Sequence, residues 1–258
     1  MTKQLLGSLE LNRIYQRDCI EGMRMIPDGS IDMILCDLPY GTTQNAWDSV
    51  IPLDALWSEY ERIIKDNGAI VLTAQTPFDK VLGASNLRLL RYEWIWRKNR
   101  GTGHLNAKKM PLKSHENILV FYKKPPTYVP QMRDGTPYKR LKCNKPDLNK
   151  GNYGKTEVPV DTVSDGKRYP LTVIDFPIVE RTQHPTQKPV DLFRYLIRTY
   201  TNPGAIVLDN CIGSGTTAVA ATLEGRDWIG FDNGCNKEGV PWSVIANQRL
   251  DSLEARAK

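Results

Sequence analysis

The chain has 258 residues, 40% of them hydrophobic and 25% charged, with a formal net charge of +6; this supplies one good-sized core, or one core carrying an elaborated insertion. No stretch approaches the roughly 18 uncharged apolar residues of a membrane span, and no basic-then-apolar leader opens the chain, so a soluble, intracellular protein is expected. Five cysteines, at 19, 36, 143, 211 and 235, are scattered and lack a C-x-x-C pair, which argues for reduced, mostly buried thiols against a disulfide framework or a zinc site.

Ile31 to Cys36 is a short apolar run ending at Asp37 and Pro39, the pattern of a buried strand that delivers Asp37 to the C-terminal edge of a sheet. Pro52 to Lys65 has Leu53, Leu56, Tyr60 and Ile63-Ile64 at helical spacing and is expected to stop at Asn67-Gly68. A strand over Ala69 to Thr73 and a short helix over Pro77 to Ala84 follow, and Leu89 to Trp96 and Asn117 to Tyr122 are rich in aromatic and branched residues, as strands are. From Lys123 to about Pro177 the pattern dissolves into turn signals such as Asp134-Gly135 and Asp165-Gly166. That is too long for an ordinary connection inside a compact domain, and it reads as an inserted recognition region. Regular elements return with a helix over Val190 to Tyr200, a strand over Ala205 to Leu208, a small-residue helix over Thr216 to Leu223, a strand over Trp228 to Phe231 and a helix from Trp242 onward. Strand and helix alternate in both halves, which predicts a doubly wound α/β sheet with its ligands at the strand C-termini.

The charge is segregated. Between Arg88 and Lys155 there are 17 Lys and Arg against 4 Asp and Glu, and elsewhere 18 against 25. A basic segment in an otherwise acidic chain is the electrostatic footprint of contact with a polyanion, and Tyr122, Tyr128, Tyr138 and Tyr153 interleave it with stacking surfaces.

Two motifs carry chemistry. Asp37-Leu38-Pro39-Tyr40 ends a strand, and Pro39 restricts Leu38 to an extended conformation that aims its carbonyl. Asp209 through Thr217, with Gly213, Ser214, Gly215 and Thr216, lies between an apolar strand and a helix, the setting in which glycines let backbone approach a ligand. It is not G-x-G-x-x-G and lacks the Lys of a phosphate loop, so neither a dinucleotide nor a triphosphate is favoured. His104, His115 and His184 show no metal-ligand spacing, and no metal site is expected.

Together, and in this order, the two motifs resemble the signatures of the β-class amino DNA methyltransferases, which methylate adenine N6 or cytosine N4. The resemblance covers residues 11 to 122 and 183 to 250. It implies a mostly parallel, seven-stranded-type sheet of the S-adenosylmethionine-dependent methyltransferase fold, circularly permuted. Residues 1–122 would form the catalytic half, 123–182 the inserted target-recognition region and 183–258 the cofactor-binding half. Asp37 and the Leu38 carbonyl would accept both N–H hydrogens of an exocyclic amine, recovering its lone pair for attack on a methyl sulfonium. Tyr40 would carry the base after its rotation out of the duplex, and Thr42, Thr43, Asn45 and Trp47 would belong to a closing loop. Leu38 and Asn210-Cys211 depart from the family's D-P-P-Y and D-P-F-x-G-S-G-T-T patterns.

His184 through Pro189 resembles the family's H-P-T-Q-K-P segment, which places Thr186, Gln187 and Lys188 on the methionine end of the cofactor; His184 is either a cap or a contact. Asp232 ends the following strand, where it would bind ribose hydroxyls or close a turn with Asn233-Gly234. Asp18 and Cys19 resemble the family's G-D-C segment beside the cofactor adenine, or form an exposed early loop. The implied activity is site-specific methylation of adenine N6 in double-stranded DNA, with cytosine N4 as the alternative. A non-catalytic DNA-binding protein that keeps the fold is a further alternative, as is methylation of a protein or RNA amide, where Asn typically replaces Asp37. The length leaves no room for a nuclease domain, so a stand-alone cytoplasmic enzyme of a bacterial or phage-infected cell, associated with its nucleoid, is expected. Its partner would be a separate restriction endonuclease, or it would be an orphan; a homodimer is a family-level expectation.

Overall fold

The computed structural model describes residues 4–41, 48–140, 162–180 and 187–257. Two compact units result, one built from residues 1–129 and 172–258, the other from Pro130–Leu171.

The first unit opens with a hairpin of β1 (Leu5–Leu6) and β2 (Leu9–Glu10), then β3 (Arg13–Gln16) and α1 (Cys19–Met23). Next come β4 (Ile31–Asp37), α2 (Leu53–Ile63), β5 (Ile64–Ala74), α3 (Phe78–Ser85), β6 (Leu90–Thr102), a single 3-10 turn at His104–Asn106, and β7 (Lys113–Phe121). The second unit holds two antiparallel ribbons, β8 (Arg133–Asp134) with β11 (Lys167–Arg168) and β9 (Tyr138–Arg140) with β10 (Thr162–Ser164). The first unit resumes with β12 (Val173–Asp175), α4 (Val190–Tyr200), β13 (Ile206–Asp209), α5 (Thr216–Leu223), β14 (Asp227–Asp232) and α6 (Trp242–Ala257). None of the described helices is long and apolar enough to cross a membrane.

Eight strands make one sheet in the order β12-β6-β7-β5-β4-β13-β14-β3, parallel except for β7, which runs against both neighbours. Period-two alternation sends successive side chains to opposite faces. Ile34 and Cys36 of β4 join α1, α2 and α3 in one apolar cluster, while Met33 and Leu35 join α4, α5 and Ala246 of α6 in the other. The helix after β4 thus covers one face and the helix after β13 the other, although the two strands are adjacent. This is a topological switch point, and in open α/β sheets the crevice outside such strand ends is where ligands bind. Asp37 and Asp209 close those two strands.

Three elements differ from the sequence reading. Helix α2 ends at Ile63, before Asn67-Gly68, because Ile64 already pairs with Ile31. The next partners are Met33 and Ala69, so Gly68 lies in a bulge where a Cβ would sit 2.9 Å from the Asp32 carbonyl oxygen. The segment read as an insertion up to residue 182 returns to the main sheet, where Val173–Asp175 pairs in parallel with β6. Tyr122 is also half-buried, packed against the core with the Arg91 guanidinium 5.2 Å from its ring centroid, whereas Tyr138 in the second unit is 46% exposed beside Arg168. Tyr153 lies outside the described residues, as does Cys143.

Candidate active site

A cavity of about 480 Å³ opens at the C-terminal edge of β4 and β13. Asp37, Leu38, Pro39 and Tyr40 line it from the first strand, and Asp209, Gly213, Ser214 and Thr216 from the second. The two motifs, more than 170 positions apart in the chain, therefore face one space. Asp18 and Cys19, Asp232, and Gln187 and Lys188 also line it. Thr186 and His184 lie outside the described residues, as do Thr42, Thr43, Asn45 and Trp47.

Asp37 is only half-buried, yet its oxygens are heavily engaged. Oδ1 accepts the Tyr40 hydroxyl at 2.7 Å and a short hydrogen bond from the Thr73 hydroxyl of β5, and Oδ2 accepts Lys188 Nζ at 2.6 Å. Tyr40 stacks on Phe78 of α3, with centroids 5.4 Å apart and planes 27° apart. Burial and the adjoining Asp37 carboxylate push the Tyr40 phenol well up, so it remains a hydrogen-bond donor. Leu38 is 4% exposed and anchors the motif in the core beneath.

Lys188 is held at the cavity by two carboxylates. Its ammonium turns onto Asp37 and lies 3.4 Å from Glu116 Oε2, because two carboxylates in a water-poor site attract it more strongly than a neutral contact would. Burial pushes the Lys188 ammonium down, but Asp37 and Glu116 outweigh it and hold the group above its ordinary range. Glu116 is pushed up by burial and held below the usual carboxylate range by Lys188 and Lys98. Lys98 Nζ donates to Glu116 Oε1 at 2.7 Å, completing a buried, charge-balanced chain of Asp37, Lys188, Glu116 and Lys98.

The glycine loop is fixed from three sides. Asp209 accepts the Cys211 amide at 3.0 Å and a short hydrogen bond from the Thr217 hydroxyl. Asp232 accepts the Gly213 amide at 2.8 Å and the Gly234 amide at 2.7 Å. Arg249 of α6 donates to the Ser214 carbonyl oxygen at 3.0 Å. Gly215 has φ of 79°, and a Cβ there would stand 2.8 Å from Ala246 Cβ, so the helix entry requires a glycine. Asn210, which replaces the family's Pro, is buried and accepts the Tyr60 hydroxyl of α2 at 2.5 Å. Asp18 caps α1, taking the Ile20 amide at 2.9 Å and the Glu21 amide at 3.1 Å, while still lining the cavity.

Burial raises Asp209 to about 7, against the Thr217 and Cys211 hydrogen bonds that favour its charge. Since an unfolded Asp titrates near ~3.9, the native state holds a proton the unfolded chain has lost between about pH 4 and 7. The stability this contributes is fully present below that window and is lost as pH rises to about 7. Asp209→Asn is therefore expected to gain stability relative to the unmodified protein as pH rises across the window and to level off above it. Thermal unfolding of both proteins at a series of pH values measures this, and a difference that does not change with pH contradicts it.

Glu116, Lys98 and Thr73 are site residues the sequence reading missed. They lie inside strands without any motif; the pairing of β6 with β7 brings Lys98 and Glu116 to the cavity, and that of β5 with β4 sets Thr73 beside Asp37. Among the described residues no cluster of His, Cys, Asp and Glu could hold a metal ion.

The chain matches the N6/N4 DNA methylase family over residues 31–236. It is 28% identical over 266 residues to the DNA adenine methyltransferase YhdJ of Escherichia coli K12, covering 94% of this chain and 83% of that protein. Among solved structures, the M1.HpyAVI complex with SAM aligns with a TM-score of 0.61 at 24% identity, over 92% of this chain and 99% of the other. The cytosine-N4-specific PvuII DNA methyltransferase aligns with a TM-score of 0.62 at 15% identity, over 94% and 91% respectively. At these identities the structural likenesses are of fold.

Proposed function

From the premise that the chain belongs to the N6/N4 DNA methylase family, we propose that it moves a methyl group from S-adenosylmethionine to the N6 amine of an adenine rotated out of duplex DNA. One observation carries this reading: the Asp37 carboxylate and the loop following Asp209 end adjacent strands and line one cavity. Asp at the first position of the tetrad, in this motif order, is most often associated with adenine, and the relative YhdJ is named an adenine enzyme.

The residues present fit the cofactor. The cavity volume, about 480 Å³, suits a small molecule, and its acids outnumber its bases, as a cation without phosphates requires. Asp232 would hold the ribose hydroxyls and Asp18 would lie beside the cofactor adenine, Ile212 and Trp242 offer apolar surface for a flat ring, and the backbone of Gly213 and Ser214 allows close approach. When bound, S-adenosylmethionine supplies a methyl group on a positively charged sulfur.

The chain's own residues do the rest. Asp37 and the Leu38 carbonyl oxygen accept the two amine hydrogens, which frees the nitrogen lone pair from the ring and stabilises charge as it develops. Tyr40, braced by Phe78, carries the extruded base. Residues 1–129 and 172–258 act as the catalytic domain, and the basic segment within 130–171 contacts the DNA and reads its sequence.

Incubation of unmethylated DNA with methyl-labelled cofactor, then digestion to nucleosides, tests the reading. Label in N6-methyladenine is expected. Label in N4-methylcytosine would move the base choice to that of the PvuII enzyme. No label on any DNA would leave a DNA-binding protein that keeps the fold.

A further inference from the structure

We infer that Lys188 shares the position of the target amine on Asp37, and that Glu116 is the acceptor that takes the ammonium over when a base enters. The inference rests on the amine-methylating reading above. That reading asks two things of the incoming group: a hydrogen bond to Asp37 and a place on the Tyr40 ring. Lys188 Nζ already meets both, at 2.6 Å from Asp37 Oδ2 and 5.4 Å from the Tyr40 ring centroid.

A carboxylate oxygen offers about two acceptor sites. Those of Asp37 Oδ1 are used by the Tyr40 and Thr73 hydroxyls, and Oδ2 holds the ammonium. A second acceptor site remains on Oδ2, but an amine hydrogen placed there would lie against the ammonium, and the two positive ends repel each other. The ammonium has to yield, and a buried ammonium that leaves its partner needs another, because an unpaired charge in the interior is strongly disfavoured.

Glu116 offers that other partner. Its Oε1 is held by Lys98, while its Oε2 is buried, accepts no hydrogen bond and lies 3.4 Å from Lys188 Nζ. An unsatisfied buried acceptor is unusual in a packed protein. A displacement of about 1 Å brings the ammonium to hydrogen-bond distance of Glu116 and releases Asp37 Oδ2. The charge of the cluster does not change in the process. Glu116 acts through Lys188 and does not touch the base, so it is a positioning residue, and Lys98 fixes its orientation from the far side.

The test uses the full chain, unmethylated DNA and methyl-labelled S-adenosylmethionine. Glu116→Gln keeps the shape and removes the charge that draws the ammonium; kcat is expected to fall about tenfold or more, with KM for the cofactor within about twofold. The Glu116→Gln, Lys188→Gln double variant is expected to lose no more than Lys188→Gln alone, because without the ammonium Glu116 has nothing to receive. Glu116→Asp keeps a carboxylate near Lys98 but draws it back from Lys188, and should lose kcat by a smaller factor while guarding against a loss of fold. Undiminished kcat in Glu116→Gln or Glu116→Asp overturns the inference, as do losses that multiply in the double variant. An unmodified protein that labels no DNA refutes instead the functional reading on which the inference stands.

Discussion

Asp37→Ala is expected to lower methyl transfer by about 10³-fold, the scale seen when a preorganised group that stabilises developing charge is removed. The affinity for S-adenosylmethionine should change by less than about threefold, because the Asp37 carboxylate hydrogen-bonds to Tyr40, Thr73 and Lys188 and to nothing in the glycine loop. The fold should survive. Lys188 keeps Glu116 as a counter-ion 3.4 Å away, so deleting Asp37 does not leave an isolated buried ammonium. Single-turnover transfer with labelled cofactor and titration calorimetry separate the two effects. A variant that fails to bind cofactor would show that Asp37 belongs to the cofactor side of the cavity, and a variant that transfers at the normal rate would remove it from the chemistry.

That prediction was reachable from the sequence because its ingredients are local. An apolar run ending in Asp-x-Pro-Tyr fixes where a strand stops and what it presents, and the strand–glycine loop–helix pattern around Gly213 and Gly215 does the same for the second strand. The alternation of strand and helix predicts the doubly wound sheet, and the switch point between β4 and β13 then brings both motifs to one edge. What stayed hidden depends on pairing across the sheet. Glu116 lies opposite Trp96, and Thr73 opposite Asp37, by strand register alone, which no local pattern encodes. Lys188 was visible as a motif residue, but the direction of its ammonium is set by two carboxylates supplied by different strands. Likewise Asn210 departs from the expected Pro without loss of order, because the Tyr60 hydroxyl of α2 satisfies its buried amide. The three-residue β12 is too short to show a period and could be found only in its parallel pairing with β6.

Asp232→Ala is expected to weaken S-adenosylmethionine binding by about 10- to 100-fold, with kcat at saturating cofactor within about threefold. Asp232 takes the amides of Gly213 and Gly234, one on each carboxylate oxygen, and so ties the cofactor loop to the end of the neighbouring strand. Removing it strands the Gly213 amide in a partly buried site, at a cost of about 1–3 kcal/mol that the loop can avoid only by moving. It also removes the acceptor proposed for the ribose hydroxyls, since each oxygen retains a lone pair after serving its amide. Burial raises the Asp232 carboxyl against the pull of those two amides. Asp232→Asn tests how many oxygens are needed: its single amide oxygen can accept one backbone N–H and, on its second lone pair, a hydroxyl, while its NH2 faces the other backbone N–H. An Asn variant that binds nearly as well as the unmodified protein would show that one oxygen suffices, and one as weak as Ala would show that both carboxylate oxygens are needed. Asp37 is untouched by either change, so a fall in kcat at saturating cofactor that matches the fall in affinity would contradict the division of the cavity into a cofactor side and an amine side.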